Sequence, residues 1–164
     1  MSEVYFIGDL HAGHKNICKF RQQFESEEQH FQHMKEVYHT IVTKRDRVFF
    51  MGDTAFTKER LWDIAAWVGH KTAILGNHCL EKECTIRDYV EAFDDVQGFM
   101  KYKEFWLSHA PIHPNELRGK INIHGHVHSA TIDDDRYFNT SLENIGYKPI
   151  SLQEIRKIVH KGDV

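Results

Sequence analysis

Five short motifs in this chain of 164 residues carry side chains that bind divalent metal ions. Each motif directly follows a run of apolar residues that indicates a β-strand, and strand ends are the usual place for a binding site in an α/β sheet. The candidate ligands are two aspartates, one asparagine and four histidines: Asp9, His11, Asp53, Asn77, His109, His126 and His128. Mixed oxygen and nitrogen donors without sulfur suit manganese, iron, zinc or nickel better than calcium.

This ligand set is typical of a two-metal hydrolase. If Asp53 bridges two divalent ions, the carboxylates of Asp9 and Asp53 cancel two of the four positive charges, and a bridging hydroxide cancels a third. The remaining positive charge favours an anionic phosphate. Two ions about 3.5–4 Å apart clamp a phosphoryl group for in-line displacement, and water on such an ion has a pKa lowered to near 7. The motifs therefore predict a phosphoesterase that uses a hydroxide held by two metals.

Composition sets broader limits. A chain of 164 residues with 41% hydrophobic residues is expected to form one domain around one core. Its three cysteines do not have the spacing of a disulfide framework or a zinc finger, and the first residues lead straight into a strand pattern, so we expect a cytoplasmic protein without membrane association. A net charge of -3 argues against broad nucleic-acid binding.

Strands and helices alternate along the sequence. Apolar runs predict strands at residues 4–7, 47–51, 72–75, 105–107, 121–123 and 137–139. Helices are expected to begin after Ser26, Thr57, Thr85 and Ser151, and Gly69 is the expected stop of the second of these helices. This pattern indicates an α/β fold.

The ordered motifs Asp-x-His, Gly-Asp, Gly-Asn-His, a lone His and Gly-His-x-His resemble the calcineurin-like metallophosphoesterase superfamily and span residues 9 to 128. The resemblance implies a single domain over residues 1–164 that folds as a four-layer α-β-β-α sandwich. It also implies that His78 is the catalytic group that stabilises or protonates the leaving oxygen. The implied ligand roles are Asp9, His11 and His128 for the first metal, Asn77, His109 and His126 for the second, and Asp53 as the bridge.

Residues 11–17 and 146–155 resemble a compact subgroup from bacteria and phages, whose members are mostly predicted phosphoesterases and supply no substrate. The chain departs from the pattern of protein phosphatases at Phe56 and Thr57, where they carry a carboxylate and an arginine, and at Cys79, where Asp or Glu is usual. We therefore expect no phosphate-gripping arginine at that position and no carboxylate beside His78, which disfavours a protein phosphatase.

Other residues near the motifs have competing interpretations. Four are candidates for substrate binding: His14, Asn16, Arg21 and His113. His14 and Asn16 could instead cap a helix, Arg21 could lie solvated, and His113 could be a surface histidine. His124 is expected to support a ligand or to sit satisfied in the core. The remaining histidines are expected to be solvated: His30, His33, His39, His70 and His160.

Three functions fit these residues to different degrees. The first is a phosphoesterase that cleaves a phosphodiester or a small phosphate ester, with a nucleotide-like substrate and two metal ions, manganese favoured. The second is a nuclease on short or single-stranded nucleic acid, for which the clustered cations are Lys101, Lys103, Arg118 and Lys120. The third is a metal-binding scaffold without turnover, which is disfavoured because all seven ligand positions and His78 are retained. The oligomeric state is left open.

Overall fold

The first of two β-sheets has five strands in the order β4-β3-β2-β1-β9. In this computed structural model, residues 1–160 are described, so the last four residues of the predicted domain lie outside the described part. Four strands run parallel, and β9 pairs antiparallel with β1. Their bounds are β1 Val4–Ile7, β2 Arg47–Phe50, β3 His70–Ile74, β4 Asp95–Gln97 and β9 Ile150–Ser151.

The second sheet has four strands in the order β5-β6-β7-β8. β5 forms an antiparallel hairpin with β6, whereas β6, β7 and β8 are parallel. Their bounds are β5 Phe99–Tyr102, β6 Phe105–Ser108, β7 Ile121–His124 and β8 Tyr137–Asn139.

Within residues 1–160 there are six α-helices, of which the last follows β9. Serine or threonine side chains cap the four longest at the predicted positions Ser26, Thr57, Thr85 and Ser151, each accepting a hydrogen bond from the backbone N–H three residues later. The bounds are α1 Ile17–Phe20, α2 Glu27–Ile41, α3 Lys58–Ala65, α4 Ile86–Ala92, α5 Leu142–Ile145 and α6 Leu152–Val159. In this described range, no helix is long and apolar enough to cross a membrane.

The two sheets share one hydrophobic core. Phe6 and Phe49 of the first sheet belong to the same buried cluster as Leu107 and Ile123 of the second. The ring of Phe49 packs edge-on against Tyr102 at a centroid distance of 4.8 Å, so the strands meet directly across the layers. Two sheets with a common core and six helices in one domain confirm the predicted α/β sandwich.

A loop segment covers the outer face of the second sheet. Trp106, Asn122 and Tyr137 are register neighbours on this face. Trp106 Nε1 donates to the carbonyl of Leu117, while the Ile112 N–H donates to Asn122 Oδ1 and Tyr137 Oη donates to the Ile112 carbonyl. Residues 110–120, with a single 3-10 turn at Pro114–Glu116, therefore serve as the cover that we expected a helix to provide on this side.

Three strands were not predicted. β4 and β5 read Asp-Val-Gln and Phe-Met-Lys-Tyr, which are neither apolar runs nor long enough to show alternation, and β9 has only two residues. Such short strands form because a neighbouring strand is available for pairing. The second predicted helix also ends at Ala65, before the expected stop at Gly69, which adopts a positive φ in the turn that follows.

Candidate metal centre

The candidate ligands lie where parallel strands end. Asp9, Asp53 and Asn77 follow β1, β2 and β3 of the first sheet, while His109 and the pair His126 and His128 follow β6 and β7 of the second. The structure gathers six of these side chains into two groups whose donor atoms lie within 4.8 Å of one another: Asp9, His11 and His128, and Asp53, His109 and His126.

Asp53 lies between the two groups. Its Oδ2 is 3.2 Å from His109 Nε2 in its own group and 3.8 Å from His11 Nε2 in the other. Asn77, the seventh predicted ligand, places Oδ1 3.0 Å from His109 Nε2. In the first group, Asp9 Oδ1 lies 3.6 Å from His11 Nε2 and 3.7 Å from His128 Nε2. All seven predicted ligand residues are thus brought together, and Asp53 lies between the two groups, as a bridging ligand would.

The first group contains two buried polar atoms without a hydrogen-bond partner within residues 1–160. Asp9 Oδ1 and His11 Nε2 are both buried and have no hydrogen-bond partner among the described residues. Leaving a carboxylate oxygen and an imidazole nitrogen unpaired in the interior is costly, whereas a cation between them would satisfy both. The residues present therefore fit a divalent metal ion.

In the second group, the hydrogen bonding of His109 also fits a cation. Its Nδ1 lies 2.9 Å from the carbonyl of Met51, which can only accept, so Nδ1 carries the proton and Nε2 keeps a lone pair. That lone pair faces oxygens of Asp53 and Asn77 and lies 3.2 Å from His126 Nδ1, and a cation held among these groups would balance the acceptors. Burial lowers the pKa of His109, but the Asp53 carboxylate overcomes this effect and raises it. The cluster is electrostatically set for a positive charge.

The ligand turns are strained. Five ligand residues adopt a left-handed backbone with positive φ: Asp9 at 53°, His11 at 52°, Asp53 at 47°, His126 at 72° and His128 at 51°. This conformation costs about 1–2 kcal/mol per residue for L-amino acids other than glycine. Such strain persists only where the surrounding structure enforces it, and it clusters at functional sites. Holding these side chains on tight turns thus lowers the stability of the folded state.

Glycines allow ligand side chains to lie directly against the neighbouring turn. A Cβ on Gly125 would stand 2.5 Å from Asp9 Oδ2, and a Cβ on Gly52 would overlap the ring of His109. Gly52 also has a φ of 93°. Glycine is therefore required in these two motifs because a ligand side chain from another strand occupies the place of a Cβ.

Arg21 is placed differently from its predicted substrate contact. The structure buries its guanidinium, which donates to the carbonyls of Asp9 and Leu10 at 2.5 and 3.1 Å and to Glu143 Oε1 at 2.9 Å. Glu143 Oε1 also lies 3.2 Å from His128 Nδ1. Arg21 thus ties the Asp9 turn to a ligand histidine from inside and does not present its charge to a substrate phosphate.

His30 was expected to be solvated, and this was wrong. It is fully buried, and its Nε2 accepts from Arg21 at 2.9 Å. Burial and the neighbouring Arg21 charge lower the pKa of His30 to about 3. The helical spacing of His30 with the buried Met34 and Tyr38 was the signal for this placement. The other histidines expected to be solvated are exposed: His33, His39, His70 and His160.

His78 has a carboxylate partner after all. Its Nδ1 lies 2.5 Å from Glu81 Oε2, and its backbone N–H donates to Asp53 Oδ1 at 2.8 Å. Glu81, three residues along, stands in for the acid that is absent at Cys79. Cys79 is buried, and burial raises the pKa of its thiol, which is unfavourable for a nucleophile.

Of the remaining candidate residues, some line cavities and others have local structural contacts. His14 lines a cavity with His11 and His78, and its Nδ1 accepts from the N–H of Asn16 at 3.1 Å. Asn16 precedes α1 without a side-chain capping bond and lines a neighbouring cavity. His113 instead accepts from the Asn115 N–H and caps the 3-10 turn. His124 is buried, with Nδ1 2.8 Å from the Gly125 carbonyl, as expected of a satisfied core group.

The sandwich and its two ligand groups define a metal-dependent phosphoester hydrolase. The family model for calcineurin-like phosphoesterases matches residues 2–161, and the chain belongs to this family. An uncharacterised protein of Methanocaldococcus jannaschii is 30% identical in an alignment that covers 100% of this chain and 95% of the relative. The gene 66 protein of Mycobacterium phage L5 is 29% identical, with 80% of each chain covered. A solved protein of unknown function from Aquifex aeolicus shares the fold with a TM-score of 0.74, 23% identity and coverage of 96% and 99%.

Gly125→Ala is expected to damage the metal centre, because the added Cβ collides with the Asp9 carboxylate. Metal analysis after gel filtration should give about two ions per chain for the original protein and fewer for the variant. Gly98→Ala is the matched control, since no atom of the described residues other than its chain neighbours lies within 4 Å of the added Cβ. Equal metal content in the two variants would contradict the claim that a side chain at position 125 disturbs the Asp9 ligand.

Acid should destabilise the protein through His30. The unfolded state takes up a proton near pH 6.5, whereas the folded state resists it down to about pH 3. This part of the stability is therefore present above pH 6.5 and lost as the pH falls toward 3. Between pH 7 and 5 the loss is about 2 kcal/mol. In urea unfolding with excess chelator, His30→Gln, which keeps an acceptor for Arg21, should lose less stability than the original over this interval; an equal loss would refute the assignment.

Proposed function

We propose that this protein is a phosphodiesterase that uses two divalent metal ions, with manganese favoured, on a nucleotide-like substrate. The observation that carries the proposal is the pair of mixed oxygen and nitrogen ligand groups joined by Asp53. Such donors suit manganese, iron, zinc and nickel, and availability also decides which ion is loaded. When bound, the two ions supply an activated water nucleophile and polarise the phosphoryl oxygens.

The charge around the centre favours a diester over a monoester. A phosphate monoester carries about -1.5 to -2 charges at pH 7, and arginine is the preferred residue for gripping it. Arg21 is buried behind the ligands. The two cavities that adjoin the ligand groups have no lysine or arginine among their described lining residues. A singly charged diester matches this lower supply of positive charge.

His78 is assigned to the leaving group. Its side chain is partly exposed and lines the cavity beside His11 and His128, outside both ligand groups. Because Glu81 Oε2 contacts Nδ1, the nitrogen available to a substrate is Nε2. In this position His78 donates a proton to the departing oxygen, and Glu81 orients the ring.

A basic track for a long nucleic acid is not supported near the metals. Lys101 and Lys103 lie in β5 and the turn after it, and Lys120 Nζ donates to the Lys103 carbonyl. This turn adjoins the start of β6, whereas His109 follows the end of β6. Arg118 is exposed and pairs with Glu116. The cationic cluster is thus at the end of the strands away from the ligands, which favours a short substrate over an extended duplex.

The function is tested with metal-stripped protein reloaded with manganese. We expect turnover of bis-p-nitrophenyl phosphate and little turnover of p-nitrophenyl phosphate, and Asp53→Asn should abolish the diester activity while circular dichroism shows it folded. Turnover of the monoester alone would replace the proposal with a phosphatase. Two bound metals without turnover of either ester would support a scaffold.

His78→Gln should retain the metals but lower kcat about 10²–10⁴-fold for a diester with an alkoxide leaving group. The loss should be smaller with bis-p-nitrophenyl phosphate, because p-nitrophenolate leaves without protonation. Glu81→Gln should lower kcat by about fivefold or less, since the pair is half exposed. Exposed Glu91 supplies the control substitution Glu91→Gln. An equal loss with both leaving groups would rule out proton donation by His78.

A further inference from the structure

A cavity of about 430 Å³ adjoins the first ligand group. His11, His128 and His78 form its polar side, and Ile17 and Phe20 of α1 form an apolar side. The ring of Phe20 is 74% exposed, and His14 packs against it edge-on at 5.9 Å. An aromatic ring exposed to this degree, next to a reaction centre, is available to stack with a ligand.

A second, shallower cavity of about 550 Å³ adjoins the other ligand group. Asn77, His109 and His126 border it, and Phe99 and Ile112 contribute apolar surface. Phe99 is 51% exposed, and its ring stacks on that of Trp106 with centroids 4.9 Å apart and planes 21° from parallel. Trp106 thereby holds the Phe99 ring as a supported platform.

No residue between positions 1 and 160 lines both cavities, and each cavity borders a different ligand group. A substituent on either side of a phosphate held by both groups would therefore enter a cavity of its own. Among the described lining residues of both cavities there is no lysine or arginine, and Glu143 in the first is already paired with Arg21. Such surroundings disfavour further phosphates and favour flat, uncharged rings.

We propose that the substrate is an unpaired nucleic-acid strand, bound with one phosphodiester at the metal centre and the two adjacent bases against Phe20 and Phe99. Aromatic side chains bind bases by stacking, regardless of sequence, because every base has a π-face. Bases in a duplex are already stacked and paired, so only an unpaired strand offers both faces. This inference rests on the proposed phosphodiesterase function and names its substrate class.

The reaction is a hydrolysis. Water forms a new bond to phosphorus, the bond from phosphorus to one sugar oxygen breaks, and that oxygen leaves with a proton. With a dinucleoside monophosphate, the products are one nucleoside and one nucleotide, and no further reactant is required.

The test compares thymidylyl-thymidine with an abasic dinucleotide of the same backbone, using manganese-loaded protein. Phe20→Ala and Phe99→Ala should each raise KM for thymidylyl-thymidine about tenfold or more, and neither should change KM for the abasic compound. Phe99→Leu keeps an apolar side chain against Trp106, so this variant separates the loss of ring stacking from a packing defect. Trp62→Ala, an exposed aromatic residue on α3, is the control and should leave both KM values unchanged.

Binding gives a readout independent of turnover. A dinucleotide that carries 2-aminopurine and a slowly hydrolysed phosphorothioate should lose fluorescence on binding, and Phe20→Ala should weaken this binding about tenfold. Unchanged KM and binding in both alanine variants, with the original protein still hydrolysing bis-p-nitrophenyl phosphate, would overturn the substrate class alone. Absence of diester hydrolysis by the original protein would overturn the proposed function itself.

Discussion

The carboxylate of Asp9 is the junction on which the two sheets depend. Asp9 follows β1 of the first sheet, yet its Oδ2 accepts from the His126 N–H and from Ser141 Oγ, which follow β7 and β8 of the second. Its own carbonyl accepts from Arg21. Burial raises the pKa of Asp9, but the adjacent imidazole of His11, the hydrogen bond from Ser141 and the nearby His109 and His128 together lower it below the usual value. A buried, ionised group thus joins the layers and leaves Oδ1 for a cation.

The cost of this junction is carried by the rest of the fold. Strained turns and unpaired atoms at the ligands destabilise the folded state. Burial of apolar surface in the shared aromatic and aliphatic core offsets this cost. The network of Arg21, Glu143 and His30 adds polar contacts behind the ligands, and Arg21 and His30 in it are buried. The site is therefore held in shape from the inside, and its outer surface is left for substrate.

Much of this arrangement could be predicted from the sequence, because strand periodicity and caps are local. The strands that end at Asp9, Asp53 and His109, and the helices capped by serine or threonine, have local signals of this kind. Arg21 and Glu81 could not be assigned in the same way, since their partners are set by the packing of α1 and by a turn. The strand β4 was missed for the same reason: its pairing with β3 is a tertiary contact. Local patterns gave the ligands, and packing gave their supports.

The segment of residues 110–120 that covers the second sheet has two anchored positions with an exposed stretch between them. Both backbone groups of Ile112 are held by side chains of the sheet, Asn122 and Tyr137, so the wall of the second cavity keeps its place without regular secondary structure. The segment leaves this anchor for the surface before it returns at Leu117, whose carbonyl is bound by Trp106. Residues between these two anchors are exposed and can be exchanged or lengthened without disturbing the ligands. This stretch can therefore change in sequence and length while the wall of the second cavity and the ligands stay fixed.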